Sequence, residues 1–396
     1  MTETSTPKAV GAPLHVFLVA GETSGDHLGA ALMAALKQRH PDIRFSGVGG
    51  PAMQAAGLQT LFPIDEVSII GIGGIVKKLP LLLRLIRQAA DAAVSAQPDA
   101  LVIIDSPEFT HRVARRVRAR APSIPVIDYV SPSVWAWRPW RARAMRRYVD
   151  HVLGLLPFEP AVHVRLGGPP CTYVGHPLIE SMSLLRPTPD ELQRRNANPP
   201  ELLVLPGSRG SELRRLLEPF GRTIELLAGR IGAFDLVLPT LPHLEGRVRE
   251  ATGAWARQPR IVIDETARKA AFRTARAALA ASGTVTLELA LAGVPTVAAY
   301  RVSGIEAVIA RALIRSESVI LANLVLGERI IPEFLQEDCR PETLADALAP
   351  LLGETAERKR QVDAFARLDA IMEIGASDPS QRSADIVLAE IGLRRG

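Results

Sequence analysis

Residues 14–26, LHVFLVAGETSGD, pass from an apolar segment through a glycine turn toward a helical pattern that starts near His27. A continuous apolar segment, rather than an alternating one, is typical of a strand in a parallel sheet that helices cover on both faces. Further apolar segments stand at 100–104, 126–130 and 151–156, with helical periodicity between them. The N-terminal half is therefore predicted to be a βαβα chain with a parallel sheet.

The pattern stops near residue 178 and starts again near residue 201. The stretch between, 181–200, is rich in proline and polar residues, which favours an interdomain linker. We predict an α/β protein of two tandem Rossmann-like domains whose parallel sheets face an interdomain cleft. The predicted parts are a first domain over 1–180, the linker over 181–200, a second domain over 201–355, and C-terminal helices over 356–396 that can pack back on the first domain.

Length and composition restrict the class of protein. A chain of 396 residues, 47% hydrophobic and 22% charged, has enough apolar residues for two buried cores. Its two cysteines lie far apart, which favours a reducing compartment and excludes a zinc cluster of cysteines. The sequence lacks a signal-peptide pattern and a stretch of about 20 apolar residues, so we expect a cytoplasmic protein that meets a membrane only peripherally.

Positive charge is concentrated in the N-terminal half. Residues 77–147 contain 14 Lys/Arg against 5 Asp/Glu. Such a surface suits nucleic acid, an anionic membrane or a phosphorylated substrate. The segment 67–88, VSIIGIGGIVKKLPLLLRLIRQ, combines aliphatic and basic residues as interfacial helices do, which favours a membrane surface over nucleic acid. The predicted lipid-facing residues of this segment are Ile72, Ile75, Lys77 and Lys78.

The first glycine turn, GETSGD at 21–26, carries polar side chains at the predicted start of a helix. Ser24 and Asp26 are placed to face an anionic or hydroxyl-rich ligand, and we predict that they contact the acceptor substrate. An ordinary helix cap would explain Asp26 but not Glu22. Because the turn lacks GxGxxG, it disfavours a dinucleotide-dependent oxidoreductase.

A second strand-end loop, IDSPEF at 104–109, carries two carboxylates, Asp105 and Glu108. A sugar hydroxyl that attacks an anomeric carbon needs a base to accept its proton, and a carboxylate suits that role. Asp105 has the alternative role of a helix cap. Pro107 is expected to hold Glu108 in the loop, where capping is less natural.

The third loop, SPSVWAWRPWR at 131–141, contains three of the four tryptophans. Trp135 and Trp137 are candidates to hold a sugar or an acyl chain, and core packing with cation–π contacts is an equal alternative.

Two turns in the second half are predicted to bind a nucleotide diphosphate. LPGSRGSE, at 205–212, offers Ser208 and Arg209 as phosphate contacts through backbone amides and a guanidinium group. ASGTVTLELALAGVP, at 281–295, offers Ser282, Gly283 and Thr284 at a second helix start, with Glu288 one turn later to bond a ribose hydroxyl. Because the sequence has no DxD motif to hold Mg²⁺, we expect a metal-independent site without a cofactor, in which helix dipoles and Arg stabilise the leaving group.

Taken together, GETSGD, GVGGPAMQAAG, VSPSVWAWRP, LPFEP, VGHPL, LPGSRGSE, ASGTVTLELALAGVP and PEFLQED resemble the lipid-A-disaccharide synthase family over nearly the whole chain. The resemblance implies a GT-B glycosyltransferase fold, with UDP-2,3-diacylglucosamine as donor and 2,3-diacylglucosamine 1-phosphate (lipid X) as acceptor. It also implies a β-1′,6 link, release of UDP, and action at the cytoplasmic face of the inner membrane of Gram-negative bacteria.

Carried over by position, the resemblance places the family's essential acid on Glu108, where Asp is more usual. Glu22 matches the glutamate of the family's GE motif, and Arg209 matches its phosphate-side arginine. Asn323 matches the asparagine of N-L-x-x-G, within a segment that reads ANLVLGER here. Ala52 replaces a frequent arginine, which removes one candidate phosphate contact.

The resulting hypothesis is a direct displacement with inversion. Glu108, or Asp105 if the shorter side chain suffices, deprotonates the acceptor's 6-hydroxyl while Arg209 and the 282–284 turn hold UDP. Alternative interpretations are a UDP-GlcNAc epimerase, another cell-wall N-acetylglucosaminyl transferase, or a two-lobed binding protein without enzymatic activity. Acyl-chain preference and oligomeric state stay open.

Overall fold

Two parallel β-sheets organise the chain, one in each of two units. In the computed structural model the first unit comprises Met1–Pro177 and Gly375–Gly396, and the second comprises Leu178–Ile374. The residues that the structure describes are 13–68, 75–302, 318–374 and 378–395.

Within its described residues, the first unit contains seven strands in the order β3-β2-β1-β4-β5-β6-β7, all parallel. The strands are β1 (His15–Ala20), β2 (Arg44–Val48), β3 (Gln59–Thr60), β4 (Ala100–Ile104), β5 (Val126–Tyr129), β6 (His151–Gly154) and β7 (Cys171–Tyr173). The helices are α1 (Thr23–Arg39), α2 (Pro51–Ala55), α3 (Asp65–Ser68), α4 (Ile75–Ala96), α5 (Pro107–Arg120), α6 (Trp140–Met145) and α7 (Glu159–Leu166).

Alternate residues of β1 pack into two different cores. Phe17 and Val19 join the core that contains α4 and α5, whereas Val16 and Leu18 join the core that contains α1. Both faces of the sheet are therefore covered, which explains why the strand sequence is continuously apolar.

The part of the second unit that the structure describes contains six strands in the order β10-β9-β8-β11-β12-β13, again all parallel. The strands are β8 (Glu201–Leu205), β9 (Asp235–Pro239), β10 (Arg260–Val262), β11 (Ala277–Ala281), β12 (Thr296–Tyr300) and β13 (Glu333–Leu335). The helices are α8 (Met182–Leu185), α9 (Pro189–Arg195), α10 (Gly210–Ile231), α11 (Glu245–Thr252), α12 (Glu265–Thr274), α13 (Thr284–Leu291), α14 (Leu321–Leu326), α15 (Pro341–Leu352), α16 (Ala356–Ala366) and α17 (Leu368–Ile371). Short 3₁₀ turns cover Pro177–Ile179, Pro242–Leu244 and Gln336–Asp338.

The stretch predicted as a linker is folded into the second unit. It forms α8 and α9, and buried Arg195 donates hydrogen bonds to the carbonyl groups of Phe272, Arg273, Ala292 and Gly293. A buried guanidinium needs such acceptors, and it anchors α9 to the body of this unit.

The C-terminal helices divide between the units. α16 and α17 belong to the second unit, and only the last helix, α18 (Pro379–Arg395), belongs to the first. There α18 packs on α1, and Arg39 pairs with Asp385 at 2.6 Å. The structure therefore differs from the predicted 356–396 segment, because α16 buries Phe365 and Gln361 within the second unit and the amide group of Gln361 bonds to Thr296.

Candidate active site

The strand order reverses at one point in each sheet, between β1 and β4 and between β8 and β11. In parallel α/β sheets, ligands bind outside the carboxyl ends of the strands at this switch point. The loops that flank it follow Ala20, Ile104, Leu205 and Ala281, which are the strand ends that the sequence predicted. A fifth predicted end, Val130, lies one residue beyond β5.

In the first unit, a glycine lets the two switch-point loops approach closely. A Cβ on Gly21 would stand 2.7 Å from the Cβ of Ser106, so a side chain at this position would push the loops apart. The close approach allows the Ser24 hydroxyl to donate a hydrogen bond to Oδ2 of Asp105 at 2.9 Å. Two of the predicted site residues, Ser24 and Asp105, are thus brought together.

The backbone that carries Asp105 is strained. Asp105 and Ser106 have φ values of 53° and 45°, in the left-handed region that residues other than glycine seldom adopt. The loop is held by the Thr110 hydroxyl, which donates to the Asp105 carbonyl at 2.6 Å, and by the Ser106 amide, which donates to Oδ1 of Asp105 at 2.7 Å. Ser106, not Asp105, stands at the N-cap of α5. Strain of this kind is kept where the surroundings enforce it, and it is concentrated at functional sites.

Glu108 lies in the first turn of α5, so the expectation that Pro107 holds it in a loop is wrong. Proline is favoured at the first helical position, because its missing N–H would be unpaired there in any case. The carboxylate of Glu108 pairs with Arg112 and Arg138, each at 3.3 Å, and with Arg141.

These arginines change the acidity of Glu108. Burial raises its pKa, but the hydrogen bond from Arg141 and the charges of Arg141, Arg112 and Arg138 outweigh burial and lower the pKa below its usual value. A carboxylate stabilised in this way accepts a proton less readily. The hydrogen bonds that the structure gives to the Asp105 carboxylate come instead from two uncharged donors, the Ser24 hydroxyl and the Ser106 amide.

Asp26 has a structural role, so its predicted contact with the acceptor is wrong. The side chain is 2% exposed and accepts hydrogen bonds from the backbone amides of Gly50, Ala52 and Met53 at 2.8 to 2.9 Å. Asp26 therefore caps the start of α2. Gly50 allows this close approach, because a Cβ at that position would stand 2.5 Å from Oδ2 of Asp26. By contrast, Glu22 and Ser24 are exposed at the start of α1.

The two candidate tryptophans of the third loop, Trp135 and Trp137, have different surroundings. Trp135 packs edge-on against Phe158, with 5.5 Å between the ring centroids. Trp137 stacks with the guanidinium groups of Arg138 and Arg141, at 4.2 and 5.6 Å from its ring centroid. Core packing therefore describes Trp135, whereas Trp137 joins the arginines around Glu108.

A buried polar layer supports the same loop. The Ser131 hydroxyl, at the start of the loop, lies 2.8 Å from Nε2 of His163. Burial raises the pKa of Glu159 to about 7, against the opposing effect of its hydrogen bond from the Leu156 amide. Glu159 and His163 stand four residues apart on α7, a helical spacing that is visible in the sequence, whereas Ser131 lies on a distant loop and meets His163 only in the folded unit.

The predicted lipid-facing residues fall largely outside the described side chains. Ile72 lies outside the described residues altogether. Ile75, Lys77 and Lys78 belong to α4, but their side chains are not described. The next residues of α4 include exposed Leu79, 40% accessible, and Leu81, 37% accessible. Across the described parts of the chain, no helix is both long and apolar enough to span a bilayer.

In the second unit, a side chain of the protein itself already bonds to the backbone amides of the first predicted phosphate turn. The Glu212 carboxylate accepts hydrogen bonds from the backbone amides of Ser208 at 2.9 Å and Arg209 at 3.1 Å. A helix carboxylate therefore satisfies these amides in the structure, and phosphate binding by them stays a prediction. The Arg209 guanidinium group lies 4.0 Å from the Glu212 carboxylate, but its side chain is 76% exposed, so it can still meet a ligand.

The second turn is more open. Gly283 and Thr284 are exposed where α13 begins, and among the described residues no side chain caps this helix end. The Ser282 hydroxyl bonds to the Val319 carbonyl at 3.4 Å. Glu288 lies one turn along α13 and pairs with Arg268 at 3.2 Å, so a ribose hydroxyl would share this carboxylate with a cation.

Asn323 is buried at 2% exposure and has no free amide group for a ligand. Its carbonyl oxygen accepts from the amides of Ile330 and Ile331, and its amino group donates to the Ile331 carbonyl and to Glu333. The predicted contact with the nucleotide sugar is therefore wrong, because the segment that follows α14 uses every hydrogen-bonding position of this side chain.

Sequence analysis missed the arginines around Glu108. Arg112 carried a readable signal, since it stands four residues after Glu108 on one helix, the spacing of a helical ion pair. Arg138 and Arg141 lie some thirty residues away, and only the pairing of β4 with β5 brings their loop to this point.

Comparisons with known proteins agree with this architecture. The model of the lipid-A-disaccharide synthetase family matches residues 16–387. The chain is 60% identical to the lipid-A-disaccharide synthase of Nitrobacter hamburgensis, over 98% of both proteins. It is 62% identical to the enzyme of the same name from Bradyrhizobium diazoefficiens, over 96% of this chain and 97% of that protein. Among solved structures, MurG of Acinetobacter baumannii has the same fold, with a TM-score of 0.57, 16% identity, and coverage of 95% of this chain and all of that one.

Two doubly wound parallel units, with a carboxylate loop at one switch point and an open helix start at the other, give the chain the GT-B fold. Within that class, the chain belongs to the lipid-A-disaccharide synthase family. Its activity is the synthesis of the lipid A disaccharide, and the epimerase and binding-protein alternatives are set aside.

Proposed function

We propose that the protein transfers 2,3-diacylglucosamine from UDP-2,3-diacylglucosamine to the 6-hydroxyl of lipid X, with inversion at the anomeric carbon and release of UDP. The proposal rests chiefly on the position of Asp105. Its carboxylate lies at the switch point of the first unit, where a hydrogen bond from Ser24 and a strained backbone hold it. A fixed, hydrogen-bonded carboxylate at a ligand-binding edge is suited to general-base catalysis.

Asp105 is a better candidate for the base than Glu108. Three guanidinium groups surround the carboxylate of Glu108 and lower its pKa, whereas the donors to Asp105 are neutral. In the proposed step, Asp105 takes the proton of the 6-hydroxyl as that oxygen attacks the anomeric carbon. The bond between this carbon and the UDP oxygen breaks, and its electron pair leaves with UDP.

The second unit is proposed to hold UDP. The exposed Arg209 guanidinium and the uncapped start of α13 at Gly283 and Thr284 offer positive charge and backbone amides to the diphosphate. Glu288, still paired with Arg268, accepts a ribose hydroxyl. Charge on the leaving group is then stabilised by this chain's own groups, so we propose that no metal ion is needed.

Both substrates carry acyl chains, so the enzyme is proposed to work at the cytoplasmic surface of the inner membrane. Support comes from the basic region 77–147 and from the exposed Leu79 and Leu81 of α4. Exposed aliphatic side chains beside cationic ones suit binding to an anionic lipid surface.

The test is a product assay with purified protein, UDP-2,3-diacylglucosamine and lipid X in detergent, with EDTA present. Mass spectrometry is expected to find UDP and a tetraacyl disaccharide phosphate, and NMR of the product is expected to show a β-1′,6 link. Unacylated UDP-N-acetylglucosamine serves as the control donor. Absence of both products would refute the proposed reaction, and activity that required added Mg²⁺ would refute metal independence.

A further inference from the structure

Three arginines converge on one point of the first unit, next to the proposed base. Arg112, Arg138 and Arg141, here called the arginine cradle, all pair with the carboxylate of Glu108. Arg141 is the least accessible of them, with its side chain 16% exposed, against 36% for Arg138 and 39% for Arg112. Glu108 neutralises one of the three positive charges, so the cradle together with Glu108 keeps a net charge of +2.

The cradle is a built site. The guanidinium groups of Arg138 and Arg141 lie over the ring of Trp137, at 4.2 and 5.6 Å from its centroid, and cation–π attraction helps to hold them there. Arg138 has a φ of 52°, a left-handed backbone conformation that residues other than glycine rarely adopt. The loop thus bends sharply at this position, and that bend lets both arginines of the loop face the start of α5. No mechanistic role assigned so far uses this arrangement.

We propose that the arginine cradle binds the phosphate monoester of the acceptor, and that the carboxylate of Glu108 occupies the cradle until the acceptor arrives. The proposal rests on the function proposed above. Guanidinium groups bind carboxylate and phosphate through the same paired N–H geometry, so Glu108 can stand in for a phosphate. A phosphate monoester offers three oxygens and nearly two negative charges, so it satisfies three arginines better than one carboxylate does.

The position of the cradle matches the shape of such an acceptor. Asp105 lies just before α5 and Glu108 in its first turn, and because three residues separate them their Cα atoms are at most about 10 Å apart. In a glucosamine 1-phosphate the phosphate is carried on C1 and the 6-hydroxyl on the carbon attached to C5, and C1 and C5 both flank the ring oxygen, so the two groups lie at the same end of the hexose ring. An acceptor with its phosphate in the cradle would therefore bring its 6-hydroxyl toward Asp105.

An anionic membrane is the main competing ligand for these arginines. Binding to a lipid surface uses exposed basic residues spread over a face. Here the guanidinium groups converge on a single carboxylate, and Arg141 is largely buried. The arrangement favours one phosphate group held in a fixed position.

The first experiment compares lipid X with dephosphorylated lipid X, 2,3-diacylglucosamine, as acceptors. The wild type is expected to prefer lipid X by about 10- to 100-fold in kcat/KM, the range for charge-assisted hydrogen bonds. In Arg138→Gln/Arg141→Gln the preference is expected to fall nearly to one, with activity on the dephosphorylated acceptor retained. Arg143→Gln, exposed on the same helix as Arg141, is the matched control and keeps the preference.

The outcomes separate the two proposals. If the wild type transferred to neither acceptor, the proposed function would fail and this inference with it. If it transferred equally to both, or if the double variant kept the preference, only the cradle would be refuted. Vesicles of phosphatidylglycerol provide the membrane arm, in which the double variant is expected to bind like the wild type. Lost vesicle binding with an unchanged acceptor preference would assign the arginines to the membrane instead.

A second variant keeps the test independent of folding in the double variant. Glu108→Gln removes the competing charge but keeps the size of the side chain, so the KM for lipid X is expected to fall by about threefold to tenfold with kcat preserved. The KM for the dephosphorylated acceptor is expected to stay the same. Inorganic phosphate is expected to inhibit Glu108→Gln more strongly than the wild type. A collapse of kcat at unchanged KM would make Glu108 the base and would contradict its role as a placeholder.

Discussion

The two switch points of this molecule share a topology but differ in chemistry. After β1 and β4, two loops meet across Gly21, hold Asp105 on strained backbone and surround Glu108 with arginines. After β8 and β11, the loops carry an exposed Arg209 and an uncapped helix start at Gly283. The first region is suited to proton transfer and acceptor binding, and the second to binding an anionic leaving group.

Both regions also contain an internal carboxylate that occupies positions a ligand could use. Glu108 pairs with the arginine cradle, and Glu212 accepts hydrogen bonds from the backbone amides of Ser208 and Arg209. The fold thus fixes where ligands bind, whereas the side chains on each loop decide what kind of ligand binds there. The predictions below test this division of roles, starting with the largest effect.

Replacing the proposed base is expected to have the largest effect. Asp105→Asn can still accept the Ser24 hydrogen bond but cannot take a proton, so kcat is expected to fall by about 10²- to 10⁴-fold with little change in either KM. Steady-state kinetics with both substrates measures this. Ser24→Ala keeps the carboxylate of Asp105 but removes the hydrogen bond that positions it, so kcat is expected to fall by about tenfold. If Asp105→Asn kept its turnover while Glu108→Gln lost it, the roles of the two acids would be reversed.

The second prediction separates structure from binding in the second unit. Asn323→Ala leaves the buried amides of Ile330 and Ile331 without acceptors, so we expect it to lower the free energy of unfolding by about 3 kcal/mol. Urea denaturation measures this loss. Enzyme that remains folded is expected to keep its KM for the UDP-sugar. A large rise in that KM at unchanged stability would restore Asn323 as a ligand contact.

The behaviour of Asn323 and Asp26 shows where sequence analysis reaches its limit. Strand ends such as Ala20 and Ile104 were predictable, because apolar runs and glycine turns are local patterns. The role of Asp26 was not, since it depends on amides 24 to 27 residues away that only the folded sheet brings near. The carboxylate loop could thus be located from sequence, but its hydrogen-bond partners could not.

The same limit explains the differences between the predicted and observed role of Glu108. Its presence after a strand was visible, and so was its possible pairing with Arg112 on the same helix. The arginines of the tryptophan loop reach it only because β4 and β5 are neighbours, and no local pattern reports such a contact.

The third prediction concerns pH and the buried layer beneath the loops of the first unit. Burial raises the pKa of Glu159 to about 7, well above the ordinary value of 4.5. A raised pKa means that the folded state prefers the protonated acid. Its stabilising contribution is therefore complete below about pH 4.5 and is lost as the pH rises through 7.

Glu159→Gln removes this titration and keeps an oxygen to accept the Leu156 amide. Relative to wild type, the variant is expected to gain about 2 kcal/mol between pH 5 and pH 8, measured by urea denaturation at each pH. Glu250→Gln, at an exposed position of the second unit, is the control and should show no such trend. A flat difference for Glu159→Gln would mean that this acid is ionised throughout the range.

The smallest effect is expected at Arg209, and it contrasts the exposed cation of the second unit with the cradle of the first. Because the Arg209 side chain is 76% exposed, water and salt screen its charge, so Arg209→Gln is expected to raise the KM for the UDP-sugar by only about tenfold. The effect should shrink as salt rises, whereas the effect of replacing the largely buried Arg141 on acceptor KM should persist. Arg214→Gln, exposed on the same helix α10, is the control. If Arg209→Gln changed the acceptor KM instead, the separation of donor and acceptor chemistry between the two switch points would be lost.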